Sequence, residues 1–153
     1  MNSTVMREVL FRGKRKDNGE WIEGYVFELQ PGQYMICDQN EYDRASTFPV
    51  WEFFRSCCHE VDPETLCRYT GLNDKNGNLI WENDILHVVE KMGNDVYHNG
   101  NLVSSPRWIN ESNFKVEFTP GGLMNTQRYV NSSKIECMVR GNVFDNPEMM
   151  EGE

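Results

Sequence analysis

Alanine occurs once, at Ala45, against sixteen asparagines and twelve glycines. Asparagine side chains compete with the helical backbone for hydrogen bonds, and glycine costs about 1 kcal/mol in a helix interior. Both favour tight corners. Such a composition excludes a helical bundle and predicts many short strands joined by turns. No apolar run approaches the roughly 20 residues that cross a bilayer as a helix. The start MNSTVMREVLF has no charged segment followed by a long apolar stretch, so no secretory leader and no membrane partner are expected. Phosphate loop, dinucleotide fingerprint, nucleophile elbow and zinc-protease motifs are all missing. That removes the well-marked enzyme classes, and neither catalytic residues nor a cofactor are assigned.

What is present suits a packed protein. The 153 residues are 39% hydrophobic and 12% aromatic, with rings spread from Phe11 to Phe144. That length fits one domain over 1–153, with a subdivision near 62–68 into two β subdomains as the alternative. The net charge is -9, unevenly placed. Residues 1–16 carry Arg7, Arg12, Lys14, Arg15 and Lys16 against Glu8 alone, so the remainder is strongly acidic. An acidic body repels nucleic acid, and its simplest role is solubility. Five cysteines, Cys37, Cys57, Cys58, Cys67 and Cys137, make an odd count. With no leader expected, they read as thiols in a reducing cytoplasm.

Hydrophobic alternation predicts strands over 7–14, 20–29, 33–37, 66–72, 79–90 (broken at Asn83-Asp84), 114–118 and 134–144. Asn18-Gly19 and Asp74-Lys75-Asn76-Gly77-Asn78 have the composition of hairpin turns. Pro31-Gly32 and Pro120-Gly121-Gly122 are turns. Gly24 and Gly141 predict bulges or bends. Residues 38–47 read as a loop, and 92–113 as a long polar loop tied down by Tyr97, Leu102 and Trp108. Helix signals are a weak turn over 50–56 and two short starts, Asp62-Pro63-Glu64 and Asn146-Pro147-Glu148. Gly13, Asn18, Gly19 and Ile22 recur as Gly71, Asn76, Gly77 and Ile80. This echo admits either duplication or convergence of two Asn-Gly hairpins.

The segments Tyr69 to Gly77 and Trp81-Glu82-Asn83-Asp84-Ile85 resemble the central signature of the YopX-like family of phage and prophage proteins. Val61 to Thr65, Phe11-Arg12-Gly13-Lys14 with Trp21-Ile22-Glu23-Gly24, and Gly141 to Glu148 also fit. Asn83 stands where the family usually has glycine; asparagine tolerates left-handed backbone, so the turn is expected to survive. The resemblance implies a mainly-β fold, an SH3-like roll or barrel with hairpin extensions and little helix. It brings no known activity. The signature residues Gly71, Asp74, Asn76, Gly77 and Asp84 are read as structural turn formers.

Four sets of residues carry chemistry to be weighed. Cys57, Cys58, His59 and Cys67 are a weak zinc set, because adjacent strand cysteines point to opposite faces; buried thiols are the simpler reading. His87 and His98 are candidate general bases without a visible nucleophile. Glu82 and Asp84 suit acid–base work or, more simply, turn capping. Arg12, Lys14, Arg15 and Lys16 beside Trp21 and Tyr25 are the one nucleic-acid-like feature; a hairpin tip neutralised by Asp17 and Glu20 is the alternative. The reading that follows is a non-enzymatic binding or assembly module. It is expected to form homo-oligomers or bind an unidentified phage or host protein. A nucleic-acid accessory protein and an acidic decoy of a host DNA-binding protein are the alternatives.

Overall fold

The structure is a computed structural model and describes residues 10–38, 49–105 and 107–150. The chain divides between Tyr69 and Thr70 into two compact units.

In the first unit, β1 (Phe11–Lys14), β2 (Trp21–Gln30) and β3 (Gln33–Asp38) form an antiparallel meander. Helix α1 (Val50–Cys57) leads directly into β4 (Cys58–Val61), which pairs with β3. A single 3-10 turn, Pro63–Thr65, precedes β5 (Cys67–Asn73), whose start pairs with β1. The sheet also folds back on itself. Beyond β1, Arg15 bridges Val61, Lys16 N donates to Glu60 O at 3.0 Å, and Asp62 N donates to Lys14 O at 2.8 Å. Strands β1 to β4 therefore close into a ring. Alternation sends Ile22, Ile36 and Val61 to its inside, with Val26, Tyr34 and Leu66 against them. The opposite face gathers Cys37, Cys57 and Cys58 with Tyr25, Phe27 and Met35.

In the second unit, the end of β5 forms a hairpin with β6 (Leu79–Trp81). A sheet of order β10-β7-β11 is built from β7 (Asp84–Met92), β10 (Arg107–Lys115) and β11 (Ile135–Asn142). Between β7 and β10 rises a two-stranded hairpin, β8 (Val96–His98) and β9 (Asn101–Ser104). Helix α2 (Pro120–Asn131) links β10 to β11. The core combines Ile80, Leu86, Val88, Val116, Ile135 and Cys137 with half-buried Phe114, Tyr129 and Val139. The Phe114 and Tyr129 rings meet edge-on at 5.1 Å. A 3-10 turn, Pro147–Met150, follows β11.

The mainly-β expectation holds, and both Asn-Gly pairs link adjacent strands, with Gly19 and Gly77 at φ 73 and 85. Asn83 takes φ 71, so asparagine does supply the left-handed residue of that turn. The bulge at Gly141 is present as a register shift between Val139 and Gly141. In β2 the shift falls between Glu28 and Gln30 instead of at Gly24. Two expectations are corrected. Residues 92–113 hold β8, β9 and most of β10, because β7 supplies a backbone partner that the polar residues Asn110 to Asn113 conceal. Pro120-Gly121-Gly122 opens a helix instead of a turn: Thr119 caps it by accepting from Gly122 N at 3.0 Å, and Pro120 fits the first helical position. Residues 7–9 and 39–47 of the expected first strand and loop lie outside the described residues.

The echo between the hairpins is local. Ile22 and Ile80 are both buried. The turns close differently, with Gly19 N donating to Arg15 O but Gly77 N to Asp74 O, which is one residue out of register with the echo. Gly13 packs within contact of Val61, whereas Gly71 has open space and φ +84.

Candidate functional site

The structure brings three members of the basic run together and separates two. Arg12 and Lys14 alternate onto one face of β1, and Trp21 sits opposite Lys14 on β2. The Arg12 guanidinium carbon lies 4.6 Å from the Trp21 ring centre, and Lys14 Nζ lies 5.4 Å from it. Two cations thus share one indole, each contact worth about 0.5–1 kcal/mol at a half-exposed site. Arg15 instead grips Asp17 through Nε and Nη2, at 2.9 and 2.6 Å. That hydrogen bond holds the Asp17 carboxyl below its usual range. Lys16 pairs with Glu60 at 2.9 Å, and its hydrogen bond, with that of Gln33, lowers the Glu60 pKa. Arg15 and Lys16 are thus paired with Asp17 at the hairpin tip and with Glu60 of β4.

The proposed zinc set does not assemble. Among the described residues no group of three His, Cys, Asp or Glu side chains is placed to hold a metal. Cys67 Sγ donates to Thr65 O at 3.2 Å. The thiols that do cluster are Cys37, Cys57 and Cys58. Cys37 has no local signature that links it to Cys57 and Cys58; only the β3–β4 register places it opposite Cys58.

The signature residues act as structural ties. Buried Asp74 accepts from Asn76 N and Asn78 N on Oδ1, at 3.0 and 2.8 Å. Its Oδ2 accepts from Asn78 Nδ2 at 3.1 Å and from Val139 N of β11 at 3.0 Å. Burial works to raise the Asp74 pKa, but the amides of Val139, Asn78 and Asn76 together outweigh it and the pKa is lowered. Lys75 Nζ donates to Ile135 O, a second tie between this turn and β11. Asp84, also buried, accepts from Trp81 N at 2.8 Å and closes the Trp81–Asp84 turn. Glu82 is half-buried beside it. Both carboxylates thus hold backbone amides of the turns they belong to.

One open polar cleft of about 260 Å³ is lined by His87, Glu111, Ser112, Asn113 and Arg140. His87 Nε2 faces Glu111 Oε1 at 2.9 Å, and Nδ1 faces Asn113 Oδ1 at 3.3 Å. Asn113 Nδ2 donates to Met149 O at 2.9 Å, which orients its amide. Glu111 and Asn113 thus flank the ring at its two nitrogens. His98 lies exposed on β8. The same hairpin presents Val96, Tyr97, Leu102 and Val103, which are 50, 61, 53 and 61% exposed. Tyr97 and Leu102 are cross-strand partners, and a register shift between Val96 and Tyr97 leaves Val103 as the extra residue of β9.

Comparison with known proteins bears on the signature ties. Residues 10–151 match the family described as YopX protein. The chain belongs to the YopX family. The match extends over both units and includes the Asp74 and Asp84 turns. No curated protein and no solved structure matches. The SH3-like name therefore rests on the family resemblance, while the ring closure of β1 to β4 is observed directly. Among the described residues, no helix of this YopX family member is long and apolar enough to cross a membrane.

Proposed function

We propose that this YopX family protein is a phage- or prophage-encoded assembly module of the cytoplasm, non-enzymatic, which self-associates through the β8–β9 hairpin. The carrying observation is the exposure of four apolar side chains on a two-stranded arm. Single exposed apolar residues are ordinary, but contiguous ones mark interaction surfaces. Tyr97 and Leu102, paired across the two strands, form the centre of this group. An isolated hairpin is also marginal in water and gains from added strands. A second copy fits best: two identical arms can pair edge to edge with matching apolar faces, as a two-fold interface requires. Arm-to-arm contact alone is small, at the scale of weak and transient association rather than of a stable complex.

Weak, concentration-dependent assembly follows. In sedimentation velocity, the average mass should climb above the 17.9 kDa of one chain over roughly 1–100 µM. Tyr97→Lys with Leu102→Lys should hold it at the monomer while leaving the β circular-dichroism signal intact. A wild-type protein that stays monomeric throughout that range defeats the reading.

The Arg12–Trp21–Lys14 group favours a second reading, single-stranded nucleic acid held by charge and stacking. Its weakness is electrostatic: Arg15 and Lys16 already have carboxylate partners. We expect a random single-stranded oligonucleotide to show no mobility shift even at low salt. A shift that weakens steeply with salt and vanishes when Lys14, Arg15 and Lys16 become Glu would replace the assembly reading.

A further inference from the structure

We propose that Cys37 and Cys58 form a disulfide when the protein meets a two-electron oxidant, making the β3–β4 pair a covalent modification site. The argument begins with register. Cys37 on β3 and Cys58 on β4 are direct Cα partners in an antiparallel pair. Residues in that relation have Cα atoms about 4.5 or 5.5 Å apart, according to hydrogen-bonding position. Both values lie inside the roughly 4.4–6.8 Å range that a disulfide spans without moving backbone. Directly opposed side chains also leave a sheet on the same face. That face carries the Cys37–Cys57–Cys58 cluster packed with Tyr25, Phe27 and Met35. The two thiols interact directly, since Cys58 contributes by hydrogen bond and by charge to the environment of Cys37.

The third thiol does not compete on equal terms. Cys57 is the last residue of α1 and Cys58 the first of β4, so the chain changes conformation between them. Only Cys58 holds a register position facing Cys37. A vicinal Cys57–Cys58 bond would distort the peptide that joins helix to strand. Cys67 is engaged with its own chain at Thr65, and Cys137 belongs to the core of the second unit.

All five cysteines are thiols in the structure. Burial, with the neighbouring sulfurs of Cys58 and Cys57, pushes the Cys37 thiol up to about 12. The resting pair is therefore slow to react, and oxidation proceeds through local opening where α1 runs into the start of β4. With hydrogen peroxide, one thiolate attacks a peroxide oxygen and is oxidised to a sulfenic acid as hydroxide leaves and takes up a proton. The second thiolate then displaces the sulfenic oxygen as water. Overall, two thiols and one peroxide give one disulfide and two waters. The new bond closes a ring of about 22 residues and restricts the unfolded chain accordingly.

The test uses the full-length protein treated with diamide, a two-electron thiol oxidant, then alkylated and digested. The expected result is a mass loss of about 2 Da reversed by dithiothreitol, with a Cys37–Cys58 peptide pair identified. The oxidised protein should also melt roughly 10 °C higher, an increment that dithiothreitol removes. Cys57→Ala should retain both effects and Cys58→Ala should lose both. Five alkylatable thiols after prolonged oxidation overturn the proposal. So does a Cys37–Cys57 or intermolecular linkage, or a melting temperature that does not rise.

Discussion

Replacing Asp74 with alanine is expected to lower the free energy of unfolding by about 3 kcal/mol, measured as a shift of the urea midpoint at unchanged slope. The magnitude follows from what the carboxylate satisfies. It accepts from two amides of its own turn, from Asn78 Nδ2 and from Val139 N on β11. Truncation leaves these donors facing an apolar methyl, and a donor stranded by loss of a charged partner costs about 1–3 kcal/mol. Asp74→Asn separates geometry from charge. One amide oxygen can serve the turn, but the new NH₂ meets the two donors, Asn78 Nδ2 and Val139 N, that Oδ2 had served. The asparagine variant is therefore also destabilised.

The same residue sets a pH dependence. Its carboxyl titrates lower in the folded chain than the ordinary 3.8, because the amide donors outweigh burial. The unfolded chain then binds the proton more readily. The stabilisation is fully present above the unfolded pKa and is lost as pH falls through the folded value. Wild-type protein should lose stability on acidification below about pH 4 more steeply than Asp74→Asn, which has no proton to take up there. Equal slopes in acid urea titrations would remove Asp74 from this role.

The second large effect contrasts adjacent glycines at the start of α2. A Cβ at Gly122 would stand 2.3 Å from Glu117 O, a backbone atom, whereas one at Gly121 meets nothing within 4 Å. Gly121→Ala should be neutral or should raise stability by up to about 1 kcal/mol, since alanine suits a helix better. Gly122→Ala forces the Glu117 carbonyl away from the helix start and disturbs the Thr119 cap. It should cost about 2–3 kcal/mol, read as a drop in thermal midpoint. Equal midpoints for the two variants would show that the helix start does not constrain position 122.

These two sites show where sequence reading ended. Asp74 was legible as a turn former, because aspartate before Asn-Gly caps its own corner. Its fourth hydrogen bond, to Val139, comes from 65 residues away and has no local signature. In α2, Thr119-Pro120 has the cap-then-proline pattern of Asp62-Pro63, and the two glycines after it mask the helix start. Glycine lowers helix propensity without forbidding a helix that core packing holds, here through Tyr129 and Val130. Strand β10 was hidden for a related reason. Its outer residues are polar, and its backbone partner β7 is supplied by register instead of by pattern.

Composition and corner chemistry alone determined that this chain is mainly β and where its Asn-Gly hairpins turn; the family resemblance, with asparagine's tolerance of positive φ, implied the left-handed backbone at Asn83. Those properties reside in single residues and their neighbours: side-chain competition for backbone hydrogen bonds, tolerance of positive φ, and period-two burial. Tertiary structure alone decided which strands pair. Register between distant segments brought Cys37 against Cys58, set Arg12 and Lys14 over Trp21, and raised β8–β9 as an exposed arm. Pairing is settled by the combined burial of many side chains, a quantity that no local stretch of sequence contains.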